Sequence, residues 1–151
     1  VYVPVGMGSG ICSGIAVRDL LGLKTKVIGV VSSNANAIAL SFAEGKPIST
    51  NSASTFADGV AVRVANADAL AMIKQGAERS VEVSDNDIAE AMRLLFRSCH
   101  TLAEGAGAAA TAALMRERAK MRGKRAGVIV SGGNIDMAKF SAILRGETPA
   151  P

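Results

Sequence analysis

Short apolar runs and longer amphipathic stretches alternate along this chain. Residues 1–5 (Val-Tyr-Val-Pro-Val) and 26–31 (Lys-Val-Ile-Gly-Val-Val) are apolar without alternation, the mark of strands buried on both faces of a parallel sheet. Residues 126–130 (Ala-Gly-Val-Ile-Val) have the same character and are predicted as the last buried strand, with a further strand at 79–83. Between these runs apolar residues return at helical spacing. A helix is predicted over 15–21. Another is capped by Ser32-Ser33-Asn34, runs to about Ala43 and is stopped by Gly45-Lys46-Pro47. A polar loop covers 49–55, and Phe56-Ala57-Asp58-Gly59 turns into apolar 60–62. Asn66 caps a helix over 67–75. Ser84 with Asp87 three residues later resembles a capping box, although glutamate or glutamine is the preferred partner, and it opens a helix whose core stripe is Ile88, Ala91, Met92, Leu95 and Phe96. An alanine-rich helix follows Glu104-Gly105-Ala106-Gly107 and ends near Arg122 at Gly123. A last helix follows Ser131-Gly132-Gly133-Asn134. Strands alternating with helices predict an α/β fold: an open, mostly parallel sheet flanked by helices. Residues 1–145 form one domain, and 146–151 a frayed tail.

Composition narrows the partners. Aromatic residues make up 3% of the 151 and tryptophan is absent, so alanine, valine, leucine and isoleucine must fill the core; Met72, Met92 and Met115 are assigned to it too. The net charge of +4 is concentrated in residues 116–125, where cations complement a helix C-terminus. With no aromatic platform beside them, nucleic acid is not the expected partner. No apolar run is long enough to span a membrane. Cys12 and Cys99 form no metal or disulfide pattern, which suits a cytoplasmic setting. The chain starts at Val1 within an apolar strand, as expected of a piece of something longer.

Two glycine turns fall where strands hand over to helices, the edge at which such sheets bind ligands. The first, Gly6-Met7-Gly8-Ser9-Gly10-Ile11, either cradles a phosphate on a helix N-terminus or is a tight turn without a ligand. A dinucleotide fingerprint fails, because Ile11 or Ser13 stands where its third glycine belongs and no acid ends the second strand. No Lys-Ser/Thr follows the loop, so the Walker pattern fails too.

Four separated pieces agree on something else: Val3-Pro4-Val5-Gly6 with its loop, Thr55-Phe56-Ala57-Asp58-Gly59-Val60, Glu104-Gly105-Ala106-Gly107-Ala108, and Ser131-Gly132-Gly133-Asn134. In that order and at those separations they resemble the C-terminal half of the fold-type II pyridoxal-phosphate enzymes, in the threonine/serine dehydratase and serine racemase branch. The resemblance implies pyridoxal 5'-phosphate as cofactor, with its phosphate on the N–H groups of Gly6, Met7, Gly8, Ser9, Gly10 and Ile11. It implies Ser131 at the pyridine nitrogen, Asn134 and Glu104 on the same side, and Asp58-Gly59 bordering the substrate. A serine at that nitrogen does not hold it protonated, which favours prompt β-elimination. The implied reaction removes water and then ammonia from threonine, serine or a related β-hydroxy amino acid, in a homo-oligomer.

Three departures accompany the resemblance. Met7 and Ser9 interrupt the glycines and lengthen the loop. Val31 and Ala37 stand where metal-dependent members carry carboxylates, so no divalent ion is expected there. The family's Schiff-base lysine lies in a Ser-x-Lys-x-Arg-Gly context, and none of Lys24, Lys26, Lys46, Lys74, Lys120, Lys124 and Lys139 has that setting. No catalytic residue is therefore assigned within this chain, and these residues alone are expected to be inactive and to associate. The rival reading is a phosphate- or nucleotide-binding regulatory module that performs no chemistry. Cys12 is read as a small buried filler and His100 as structural.

Overall fold

The computed structural model describes residues 1–151. Its sheet has three parallel strands in the order β1 (Tyr2–Pro4), β2 (Val27–Ser32), β3 (Ala77–Val83). Val3 stands opposite Gly29, and Val30 opposite Val81. All six residues of β2 are buried, because it is central and has helices over both faces. Seven helices complete the fold: α1 (Ser9–Leu20), α2 (Ala37–Glu44), α3 (Ala67–Gly76), α4 (Asp85–Cys99), α5 (Gly105–Arg116), α6 (Arg118–Met121) and α7 (Met137–Leu144). None is long and apolar enough to cross a membrane.

The two faces of the sheet are packed differently. On one, α5 lies across all three strands and carries α4 on its outer side. Nine consecutive residues of α5, 105–113, are buried, since alanine and glycine allow helix and sheet to approach closely. The six alanines among them belong, with Tyr2, Ile88, Met92 and Ile143, to a core of 21 buried residues. On the other face α1 packs against β1 and β2, α2 packs against β3, and α3 lies against both helices. The core there has nine buried residues, among them Val5, Ile11, Ile15 and Ile73. Replacing Ile88, which is fully buried, by alanine should cost about 2–5 kcal/mol.

Sequence signals for helix starts hold where the capping side chain has no competing partner. Asn66 accepts from the Ala69 N–H at 2.9 Å. Ser84 accepts from the Asp87 N–H at 3.1 Å while Asp87 accepts from the Ser84 N–H at 2.9 Å, so the box closes with aspartate as its acid. The Ser32-Ser33-Asn34 cap does not form. The Ser32 hydroxyl accepts from the Asn34 N–H at 3.2 Å and donates to Asp85 at 3.3 Å, and α2 begins only at Ala37.

Other expectations are corrected. The first helix begins at Ser9 rather than residue 15, so half of the glycine loop is its opening turn. Strand β3 begins at Ala77, directly after α3. The alanine-rich helix divides at Glu117, whose carboxylate is tied to the sheet by Tyr2 and Arg79. Residues 126–130 are not a buried strand. They touch the sheet at one bridge, Tyr2 to Val128, held by Tyr2 N–H to Gly127 O at 2.9 Å and Ile129 N–H to Tyr2 O at 3.0 Å. Ile129 and Val130 stay exposed, because the run pairs along one side only. Phe96 is exposed at the margin of the core and meets Phe140 edge-on at 5.3 Å. Met72 is exposed as well.

Candidate functional site at the carboxyl-terminal edge of the sheet

Beyond β1, residues 6–11 carry their N–H groups without a backbone partner in the chain. Helix α1 supplies the last three of them as its unpaired opening turn. Gly8 is the N-cap, with φ +104° and no side-chain capping bond. A side chain is disfavoured there twice over, by the backbone angle and because a Cβ would stand 2.8 Å from the Ala69 Cβ. The Ile11 side chain is fully buried and anchors the turn, leaving its N–H on the open end of the helix.

The other pieces are locked to this loop and to one another by close backbone approach. A Cβ on Gly6 would overlap the carbonyl oxygen of Gly59, and one on Gly59 would stand 2.8 Å from the Ala106 Cβ. A Cβ on Gly107 would overlap the Gly132 carbonyl oxygen. Glu104 clasps the second glycine turn from both ends: its N–H donates to Gly132 O at 3.1 Å, and its carboxylate accepts from the Asn134 N–H at 3.1 Å. The loop bearing Asp58 is held by Thr55, which donates to Asp85 at 2.5 Å and accepts from the Ala57 N–H at 3.2 Å. Four segments remote in sequence therefore meet at one edge.

Asp58, Gly59, Glu104 and Asn134 line one cleft of about 230 Å³. Gly10 and Ser131 line a second concavity of about 360 Å³, walled by Val3, Pro4, Val17 and Ile129. Gly6, Met7, Gly8, Ser9 and Ile11 line neither of the two; Met7 is exposed. The hydroxyl of Ser131 has no hydrogen-bond partner within the chain and is solvent-exposed. The first cleft also contains Asp136 and Lys139, which the sequence reading missed. Asp136 caps α7, accepting from the Ala138 N–H at 2.8 Å, so its position two residues beyond Asn134 at a helix start was the available signal. Nothing local to Lys139 marks it. Val31 and Ala37 are apolar and fully buried. Cys12 is partly buried, its Sγ 3.7 Å from the Ala69 carbonyl, and burial pushes its thiol pKa up.

The family described as pyridoxal-phosphate dependent enzyme matches residues 1–132. The chain belongs to that family. It falls in the fold-type II branch that holds the threonine/serine dehydratases and serine racemases, and pyridoxal 5'-phosphate is the cofactor. Phenylserine dehydratase of Ralstonia pickettii is 36% identical over 143 residues, covering 93% of this chain and 44% of the relative. L-threonine ammonia-lyase of Thermotoga maritima is 33% identical over 145 residues, covering 95% and 36%. The processed form of threonine deaminase isoform 2 from Solanum lycopersicum superposes with a TM-score of 0.88 at 29% identity, covering 95% of this chain and 40% of that one. The chain thus spans less than half the length of these relatives. Its residues fit the cofactor at one place. Six consecutive unpaired N–H groups suit a phosphate, and the free Ser131 hydroxyl shares a concavity with Gly10 of that loop.

Proposed function

We propose that the whole protein is a pyridoxal-phosphate-dependent ammonia-lyase acting by β-elimination on threonine, serine or a related β-hydroxy amino acid. We place it in the cytoplasm as a homo-oligomer. The observation that carries the reading is the meeting of the glycine loop, Asp58-Gly59, Glu104 and the Ser131 turn at one sheet edge. Bound there, pyridoxal phosphate supplies an electron sink for the pair left on an amino acid's α-carbon.

The chain's own residues do the holding. The N–H groups of Gly6, Met7, Gly8, Ser9, Gly10 and Ile11 bind the phosphate, assisted by the positive end of α1. The Ser131 hydroxyl meets the ring nitrogen. A hydroxyl does not ionise near neutral pH and so gives that nitrogen no carboxylate counter-charge, which keeps the sink moderate and favours loss of the β-hydroxyl. Glu104 fixes the direction of Ser131 by clasping its turn, and Asn134 stands beside it. Asp58 and Gly59 wall the substrate side. No lysine of the chain has the family's Schiff-base setting, so the covalent attachment is assigned outside these 151 residues.

The test is the full-length protein incubated with pyridoxal phosphate and then with threonine, serine and phenylserine. Ammonia and the matching 2-oxo acid should appear in equal amounts and only with the cofactor. Cofactor binding without release of ammonia from any of the three would contradict the proposed reaction.

A further inference from the structure

The opposite edge of the sheet, where β2 and β3 begin, opens on a cleft of about 780 Å³. Six cationic side chains line it: Lys24, Lys26, Arg79, Lys120, Lys124 and Arg125. Two carboxylates answer them. Glu78 pairs with Lys26 at 2.6 Å; Glu117 takes Arg79 and, at 3.1 Å, Lys120. Lys24, Lys124 and Arg125 have no ion pair and no hydrogen bond from their side chains, and the buried Nε of Arg79 has no partner. Complementing helix ends does not account for this surplus. The last turn of α1 already has Arg18, and that of α6 has Arg118 and Lys120, whereas Lys24, Lys124 and Arg125 lie beyond both helices. Like charges gathered round one concavity repel each other unless an anion joins them.

We propose that this cleft binds a small ligand carrying two or more linked phosphate groups. Its volume exceeds what one phosphate fills. The unpaired cations reach it from two separate loops, residues 21–26 and 122–127, which suits charge spread along a ligand better than a single point. Arginine and lysine together supply planar and point donors for phosphate oxygens. The site lies across the sheet from the glycine loop and does not depend on the proposed reaction.

The experiment titrates the cofactor-loaded full-length protein with inorganic tripolyphosphate by calorimetry at low ionic strength, so that the glycine loop is already filled. One tripolyphosphate per chain should bind saturably, and more tightly than orthophosphate or citrate. The double variant Lys124→Glu, Arg125→Glu should weaken it about tenfold or more, while Lys124→Arg, Arg125→Lys retains it. Circular dichroism of the charge-reversed protein should match the parent, since both side chains are exposed and unbonded. Lys24→Glu gives an independent readout from the other loop and should also weaken binding. Absence of saturable binding, citrate binding as tightly as tripolyphosphate, or a charge-reversed protein of unchanged affinity would each overturn the proposal.

Discussion

At the carboxyl-terminal edge of the sheet the chain gathers unpaired backbone N–H groups, a free serine hydroxyl and the carboxylates of Asp58, Glu104 and Asp136. At the amino-terminal edge it gathers six cationic side chains and two carboxylates, both engaged. Each edge can receive an anion, by different means. The first uses fixed backbone dipoles, held by glycine contacts that leave no room for adjustment. The second uses long side chains with freedom to move. A built site of the first kind should break on small changes of shape, and one of the second kind on changes of charge.

The largest expected effect is therefore steric. Gly107→Val drives a side chain into the Gly132 carbonyl, a backbone atom that cannot yield without moving the Ser131 turn. The cost should be about 3 kcal/mol in urea unfolding, with cofactor affinity lost and tripolyphosphate binding retained under native conditions. Next is Glu104→Ala, which removes a charge-assisted hydrogen bond to the Asn134 N–H. It should cost about 2 kcal/mol, and Glu104→Gln should recover part of it because an amide oxygen can still accept.

These two positions also show what the sequence disclosed. Glu104 and Gly107 were legible as members of ordered motifs, although the groups they meet, Asn134 and Gly132, are remote in sequence. Asn66, Ser84 and Asp87 were legible because each acts through neighbours close in sequence. Lys139 was not, since its place in the cleft depends on how α7 docks. The exposed edge run 126–130 misled for a related reason. Valine and isoleucine there report the tendency to be buried, whereas burial needs a partner layer, and α5 covers only the strands beside it. The division of the alanine-rich helix at Glu117 was likewise hidden, because its cause is a contact with Tyr2, 115 residues away.

That contact gives a smaller, pH-dependent effect at the amino-terminal edge. Glu117 accepts from the Tyr2 hydroxyl at 2.5 Å, from Arg79 and from Lys120. Burial opposes its ionisation, yet these donors outweigh burial and hold its carboxyl at about 2 against an ordinary 4.5. Burial first, then the bond to Glu117, pushes the Tyr2 phenol up to about 12. The unfolded chain binds the proton more readily, so the network's stabilisation is complete above about pH 4.5 and fades as pH falls towards 2. Urea midpoints measured from pH 6 downward should drop by the equivalent of about 1–2 kcal/mol, and Glu117→Gln should flatten that slope. Tyr2→Phe should cost about 1 kcal/mol near neutral pH.

Ser131→Ala should weaken cofactor binding by only about 1 kcal/mol, whereas Ser131→Asp should shift the bound cofactor's absorption spectrum and slow ammonia release. Unchanged spectra and rates in both would remove Ser131 from the site. Borohydride reduction of the loaded protein followed by peptide mapping should place the pyridoxyl group outside residues 1–151. A label on Lys139, the lysine lining the acidic cleft, would reverse the assignment of the covalent bond.

The most direct measurement uses pyridoxine 5'-phosphate, which lacks the aldehyde and so binds without a covalent bond. Its affinity for the full-length protein should exceed that of pyridoxine at least about a hundredfold, the equivalent of about 2.7 kcal/mol from the phosphate. Gly8→Val should erase most of that difference, and Lys124→Glu with Arg125→Glu should leave it intact. If Gly8→Val left the difference standing while the charge reversal removed it, the phosphate would lie at the amino-terminal edge and the account of the glycine loop would be wrong.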